Sequence, residues 1–147
     1  KSQKETFQAI VEETLGENCD FETVKNIHEN LSELVEETKD EPVPLTLDKY
    51  QVKKLLENNG ASPEKLEEFE ERYKDVENTP ETSFVAANVV NTKIFEIKTP
   101  DVTIKVAPDK TYLVENRMID GRPCIVIAIN EHVEINGISC RPIAVQK

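Results

Sequence analysis

The hydrophobic period of this chain changes at "ENTPETS", residues 77–83. Before that stretch apolar residues recur every three or four positions, and after it they tend to alternate. A strand needs a period of two and a helix one of 3.6, so the chain is held to helices first and strands second. Phe7, Ile10, Val11 and Leu15 share a helical face, and Gly16 follows as a stop. Asp20 caps a second helix, whose stripe of Phe21, Val24, Ile27, Leu31, Leu34 and Val35 runs to about residue 38. "KDEPVP", 39–44, breaks the pattern with two prolines, and Leu45-Thr46-Leu47 reads as a short extended piece. Asp48 opens a third helix through about Asn58, with Val52, Leu55 and Leu56 inward and Gly60 ending it. Ser62-Pro63 starts a fourth, whose inner face is Leu66, Phe69, Tyr73 and Val76. Glu68–Arg72 and Glu70–Lys74 are placed as i,i+4 ion pairs.

Past residue 83, Phe84–Val90, Ile94–Lys98 and the strictly alternating Val102–Val106 predict strands. Asp120-Gly121 and Asn136-Gly137 are two-residue hairpin signals between β-rich segments. Closing the first hairpin sets Ile119 opposite Arg122, Met118 opposite Pro123 and Arg117 opposite Cys124. One face then carries Tyr112, Val114, Asn116, Met118, Pro123, Ile125, Ile127 and Ile129, and its apolar character predicts a core face. Four helices before about six strands mean α+β. The expected arrangement is N-terminal helices packed on one face of a largely antiparallel sheet formed by the C-terminal half. An acidic helical region, 1–79, and an antiparallel β region, 80–147, are expected to form one compact unit. The chain starts in a helical pattern without Met, so it is expected to be a fragment of a longer protein.

Charge narrows the function. Residues 1–83 hold 22 acidic and 10 basic side chains, a net of −12, whereas residues 84–147 hold 7 and 8, a net of +1. Such an N-terminal half repels a phosphate backbone, so nucleic acid is an unsuitable partner. "VKKLLENNGASPEKLEEFEERY" has a helix–turn–helix outline, but its second helix would carry Glu64, Glu67, Glu68, Glu70 and Glu71 into a groove read by Arg, Lys, Asn and Gln. No apolar run approaches the ~20 residues of a membrane span, so no membrane partner is expected. At ~100° per residue, Glu22, Glu29, Glu33 and Glu36 line up opposite the apolar stripe of the second helix. A single-sign stripe is ordinarily a solvated face; its functional reading is an interaction surface for a basic protein partner.

Catalytic signals are sparse. Cys19, Cys124 and Cys140 form no CxxC and are odd in number, as expected of free thiols in a reducing compartment. Cys124 lies beside Arg117, which could acidify a thiol, but neither His28 nor His132 is near it in sequence, so it reads as a buried strand residue. No HExxH, His pair, GxGxxG or GxxxxGK[ST] occurs, and only four glycines are present. No catalytic residue, metal ligand or cofactor is assigned.

"VEETLGENCDFETVKNIHENL" and "KTPDVTIKV…LVENRMIDGRPCIVIAINEHVEINGI" resemble the C-terminal part of a family of anaerobic Gram-positive bacteria catalogued as a domain of unknown function. The resemblance extends over nearly the whole chain and implies a bacterial, cytoplasmic protein. It implies no catalytic residue, cofactor or substrate. Two functions are therefore carried forward. One is a non-catalytic interaction or scaffold module of a larger bacterial protein. The other is a hydrolytic enzyme whose site is completed by a missing N-terminal region. A concave pocket with a perturbed titratable residue would favour the enzyme. The sequence sets no oligomeric state.

Overall fold

The computed structural model describes residues 2–75, 82–129 and 132–141. The chain is α+β, with helices towards the N-terminus and antiparallel strands in the C-terminal half. Two compact units form, Lys1–Pro108 and Asp109–Lys147.

The four long helices start where their caps place them. Helix α1, Gln3–Leu15, opens on a capping box between Ser2 and Glu5, and Gly16 ends it at φ 55°. Asp20 accepts from the Thr23 N–H at 2.9 Å to open α2, Phe21–Glu37. Asp48 and Gln51 close a reciprocal box on α3, Lys49–Asn58, with contacts of 2.8 and 2.9 Å. Ser62 caps α4, Pro63–Tyr73, and Pro63 sits in its first turn, where a missing N–H breaks no helical bond. Val76, expected on the inner face of α4, lies outside the described residues.

These helices bury one core that includes Phe7, Ile10, Leu15, Ile27, Leu31, Val52, Leu56, Leu66 and Phe69. Strand β1, Thr46–Leu47, pairs antiparallel with β2, Phe84–Val85, and buries Leu47 in the same core. The strand expected over Phe84–Val90 stops after two residues and turns into a short helix, α5, Ala86–Val89. The reason is burial: Ala86, Val89 and Val90 are all buried, a spacing of i, i+3 and i+4 that only a helical turn puts on one face. Strands β3, Phe95–Lys98, and β4, Thr103–Val106, complete this unit as an antiparallel pair with Phe95 buried.

The second unit holds β5, Val114–Ile119, paired with β6, Arg122–Ile127, and β7, Val133–Ile135, paired with β8, Ile138–Cys140. Both turns form as expected. Asp120 and Gly121 lie at φ 50° and 79°, and Asn136 and Gly137 at 52° and 83°, which is a type I′ pair in each case. The register places Ile119 opposite Arg122, Met118 opposite Pro123 and Arg117 opposite Cys124.

Three further expectations are corrected. The described strands do not join into one sheet; they form four separate two-stranded ladders. At β6 a physical cause is visible. Pro123 occupies a non-hydrogen-bonded position, so its missing N–H would have faced outward and cannot serve a third strand. The apolar face assigned to this hairpin is also not a core: Val114 is buried and Ile125 half-buried, but Tyr112, Met118, Pro123, Ile127 and Ile129 are exposed. Cys124 is half-buried rather than enclosed, with its Sγ 3.5 Å from the Arg122 carbonyl.

Candidate functional site

Helix α2 carries more apolar surface than its neighbours cover. Ile27 and Leu31 are fully buried, but Val24 is 41% and Leu34 38% exposed. These two residues sit on opposite flanks of the stripe, and each lines a different concavity. Both concavities lie within the first unit.

On the Val24 flank is a cleft of about 730 Å³ between α1, α2, α5 and the β3–β4 pair. Phe7, Val11, Ile27, Val89, Val90 and Phe95 supply much of its apolar wall, and Lys4, Glu12, Glu96 and Lys105 are among its polar residues. Cys19 and His28 also face it. The His28 ring lies 4.9 Å from that of Phe95, tilted at 50°, and its Nε2 is 3.4 Å from Ser32 Oγ. Burial lowers the His28 imidazole below its ordinary value, although the Glu29 carboxylate pulls the other way. Burial also raises the Cys19 thiol, and the Glu12 and Asp20 carboxylates raise it further. At neutral pH the cleft therefore presents a neutral imidazole and a protonated thiol. A nucleophilic cysteine needs the opposite, a thiolate favoured by its surroundings; Cys19 precedes the Asp20 cap of α2, but burial and the two carboxylates outweigh that position.

On the Leu34 flank α2 and α3 form a groove of about 450 Å³. Leu31 and Leu47 are buried beneath it, Leu55 is half-buried, and Leu34 and Tyr50 stand exposed, Tyr50 at 63%. Glu33 and Glu37 are both exposed and line it on the α2 side. Lys54 is the one cation lining it among the described residues, and its Nζ is 3.7 Å from Glu57 Oε1.

Of the four glutamates singled out in the sequence, Glu22, Glu33 and Glu36 are exposed and Glu29 is half-buried. Only Glu33 lines the groove. Glu36 binds Lys39 at 2.6 Å in an exposed pair. Tyr50, Glu37 and the exposed edge of Leu34 escaped the sequence reading. A signal for Tyr50 was present: at ~100° per residue it falls far from Val52, Leu55 and Leu56 on α3, an aromatic on the outward side of an amphipathic helix.

Ion pairing also differs from the helical i,i+4 expectation. Glu70 reaches across to Lys53 on α3 at 2.7 Å, and Lys74 pairs with Glu71 at 2.8 Å. Arg72 pairs with Glu13 on α1, while Glu68 is 3.4 Å from Lys65. The pairs of Glu70 with Lys53 and of Arg72 with Glu13 form because α1, α3 and α4 pack together and bring carboxylates within reach, whereas Lys65–Glu68 and Glu71–Lys74 close locally at i,i+3.

A family model described as a domain of unknown function, DUF4317, matches residues 1–138. The chain belongs to that family. No curated protein and no solved structure matches it. Among the described residues of this DUF4317 chain, no three His, Cys, Asp or Glu side chains converge to hold a metal ion. No described helix is long and apolar enough to cross a membrane.

Proposed function

We propose that this chain is a non-catalytic interaction module of a larger bacterial protein, acting in the cytoplasm by docking a basic protein partner on its acidic helical surface. The observation that carries the reading is the surface of α2. Exposed Glu22, Glu33 and Glu36 stand on the same helix as an uncovered apolar edge, at Leu34. Carboxylates steer a basic partner and raise its rate of association, and an apolar edge supplies the contact that holds it. Three free cysteines suit a reducing compartment.

A hydrolytic enzyme is the second reading, and the cleft that His28 lines, with Ser32 next to its ring, is what favours it. Its chemistry is weaker. Ser32 Oγ lies 3.4 Å from His28 Nε2, and burial holds the imidazole below its ordinary value. The pair also sits at i,i+4 on one helix, a spacing at which side chains meet without any catalytic purpose.

The test uses a basic partner captured with the full-length protein, followed by association kinetics across a salt series. Replacing Glu22, Glu33 and Glu36 by lysine is expected to slow association and to flatten its salt dependence, since the Debye length falls from about 10 Å at 0.1 M salt to about 3 Å at 1 M. Equal on-rates for the wild type and the triple variant at every salt concentration would reject the acidic surface as the docking site.

A further inference from the structure

We infer that the α2–α3 groove is the seat of a single amphipathic helix with lysine or arginine along its flanks. The inference rests on the interaction-module reading and specifies the partner's form. Three observations carry it. The floor of the groove is apolar, with Leu34 and Tyr50 left exposed over buried Leu31 and Leu47. Its walls are helices, whose backbone groups are already paired along the helix, and Leu47 of β1 is buried in its floor, so an extended peptide finds no strand edge along the walls. A helix satisfies its own backbone and can set its side chains into a groove between two others. Finally, the rim is acidic. Glu33 and Glu37 stand on it, and Lys54 is turned towards Glu57. An acidic or neutral helix would leave those carboxylates unanswered, whereas lysine or arginine at the flanks pairs with them.

The length follows from the walls. Asn30 to Glu37 on α2 and Tyr50 to Asn58 on α3 each span about two turns, on the order of 11–12 Å. A ligand of two to three turns fills that span, with apolar residues at i, i+3 or i+4, and i+7 facing Leu34, Tyr50 and Leu55.

The experiment displays a library of 15-residue peptides with randomised side chains against the whole chain, then measures the enriched sequences as synthetic peptides. The expected result is enrichment of apolar residues at helical spacing flanked by Lys or Arg. Affinity is expected to drop at least tenfold for Tyr50→Ala, and again for the pair Glu33→Gln and Glu37→Gln. Circular dichroism and thermal unfolding of each variant confirm that it remains folded, as expected for exposed positions. Enriched peptides that are basic but lack helical spacing, and that bind Tyr50→Ala as well as wild type, would overturn the helix-in-groove inference and leave the basic-partner reading standing. Enriched peptides without basic residues, or no enrichment, would overturn both.

Discussion

A half-buried imidazole set against an aromatic ring costs stability in acid. His28 has its pKa lowered in the folded chain, while in the unfolded chain it returns to about 6.5. Below that pH the unfolded state binds more protons than the folded state, so the His28 contribution is complete above about 6.5 and is lost as the pH falls through the folded value. Urea unfolding between pH 7.5 and 5 is expected to show this decline, and His28→Gln should flatten it. A variant as acid-sensitive as the wild type would assign the decline to other groups. Cys19 shows the opposite displacement: its thiolate is disfavoured by burial and by the Glu12 and Asp20 carboxylates. Timed alkylation at pH 8, read by peptide mass spectrometry, should label Cys19 more slowly than a free model thiol. Labelling at or above the model rate would contradict the described environment. Neither residue announced these properties in the sequence. His28 could be placed at the margin of an apolar stripe, but its neighbour Phe95 lies 67 positions away and arrives only with the tertiary fold.

Among the elements, those whose signals are local were the legible ones. Caps at Asp20, Asp48 and Ser62 set three helix starts, because the side chain and the N–H it accepts from are three residues apart. Asn-Gly and Asp-Gly set two hairpins and their registers, because few other residue pairs take positive φ at both turn positions. What failed depended on distant partners. Phe84–Val90 looks like a strand until α1 covers the face formed by Ala86, Val89 and Val90, and the apolar face of the Asp120-Gly121 hairpin looks like a core face although Met118, Pro123, Ile127 and Ile129 are exposed. The groove was illegible for the same reason, since it needs the relative placement of α2 and α3. Two substitutions test the elements. Asp48→Ala removes the reciprocal box with Gln51 and should destabilise the chain by about 1 kcal/mol in equilibrium unfolding. Leu56→Ala, at a side chain with no exposed surface, should cost roughly 2–5 kcal/mol, whereas Leu34→Ala on the open groove should change stability by about 0.5 kcal/mol. A large loss at Leu34 would mean that the groove is structural and not a free surface.

Across the whole molecule, stability is expected to be divided as unevenly as burial is. The first unit encloses a core drawn from α1 to α5, with Leu56 and Ala86 at 0% exposure. The second spans 39 residues and its described strands form two separate two-stranded ladders. A two-stranded hairpin is marginal in water by itself, and a unit below about 40 residues ordinarily needs a disulfide, a metal or association to hold together. Cys124 and Cys140 are both free, and Met118, Ile127, Ile135 and Ile138 are all exposed. The β5–β6 ladder must therefore open at a lower free energy than the helical core does. In native-state hydrogen exchange the amides that bridge Arg117 with Cys124 and Glu115 with Val126 are expected to exchange much faster than those of Val52 and Leu56 in α3. Their denaturant dependence should be shallow, as for local opening, while that of the α3 amides follows global unfolding. Equal protection in the two places would show that the hairpins unfold only with the core, and the exposed apolar face of β5 and β6 would then need a different explanation.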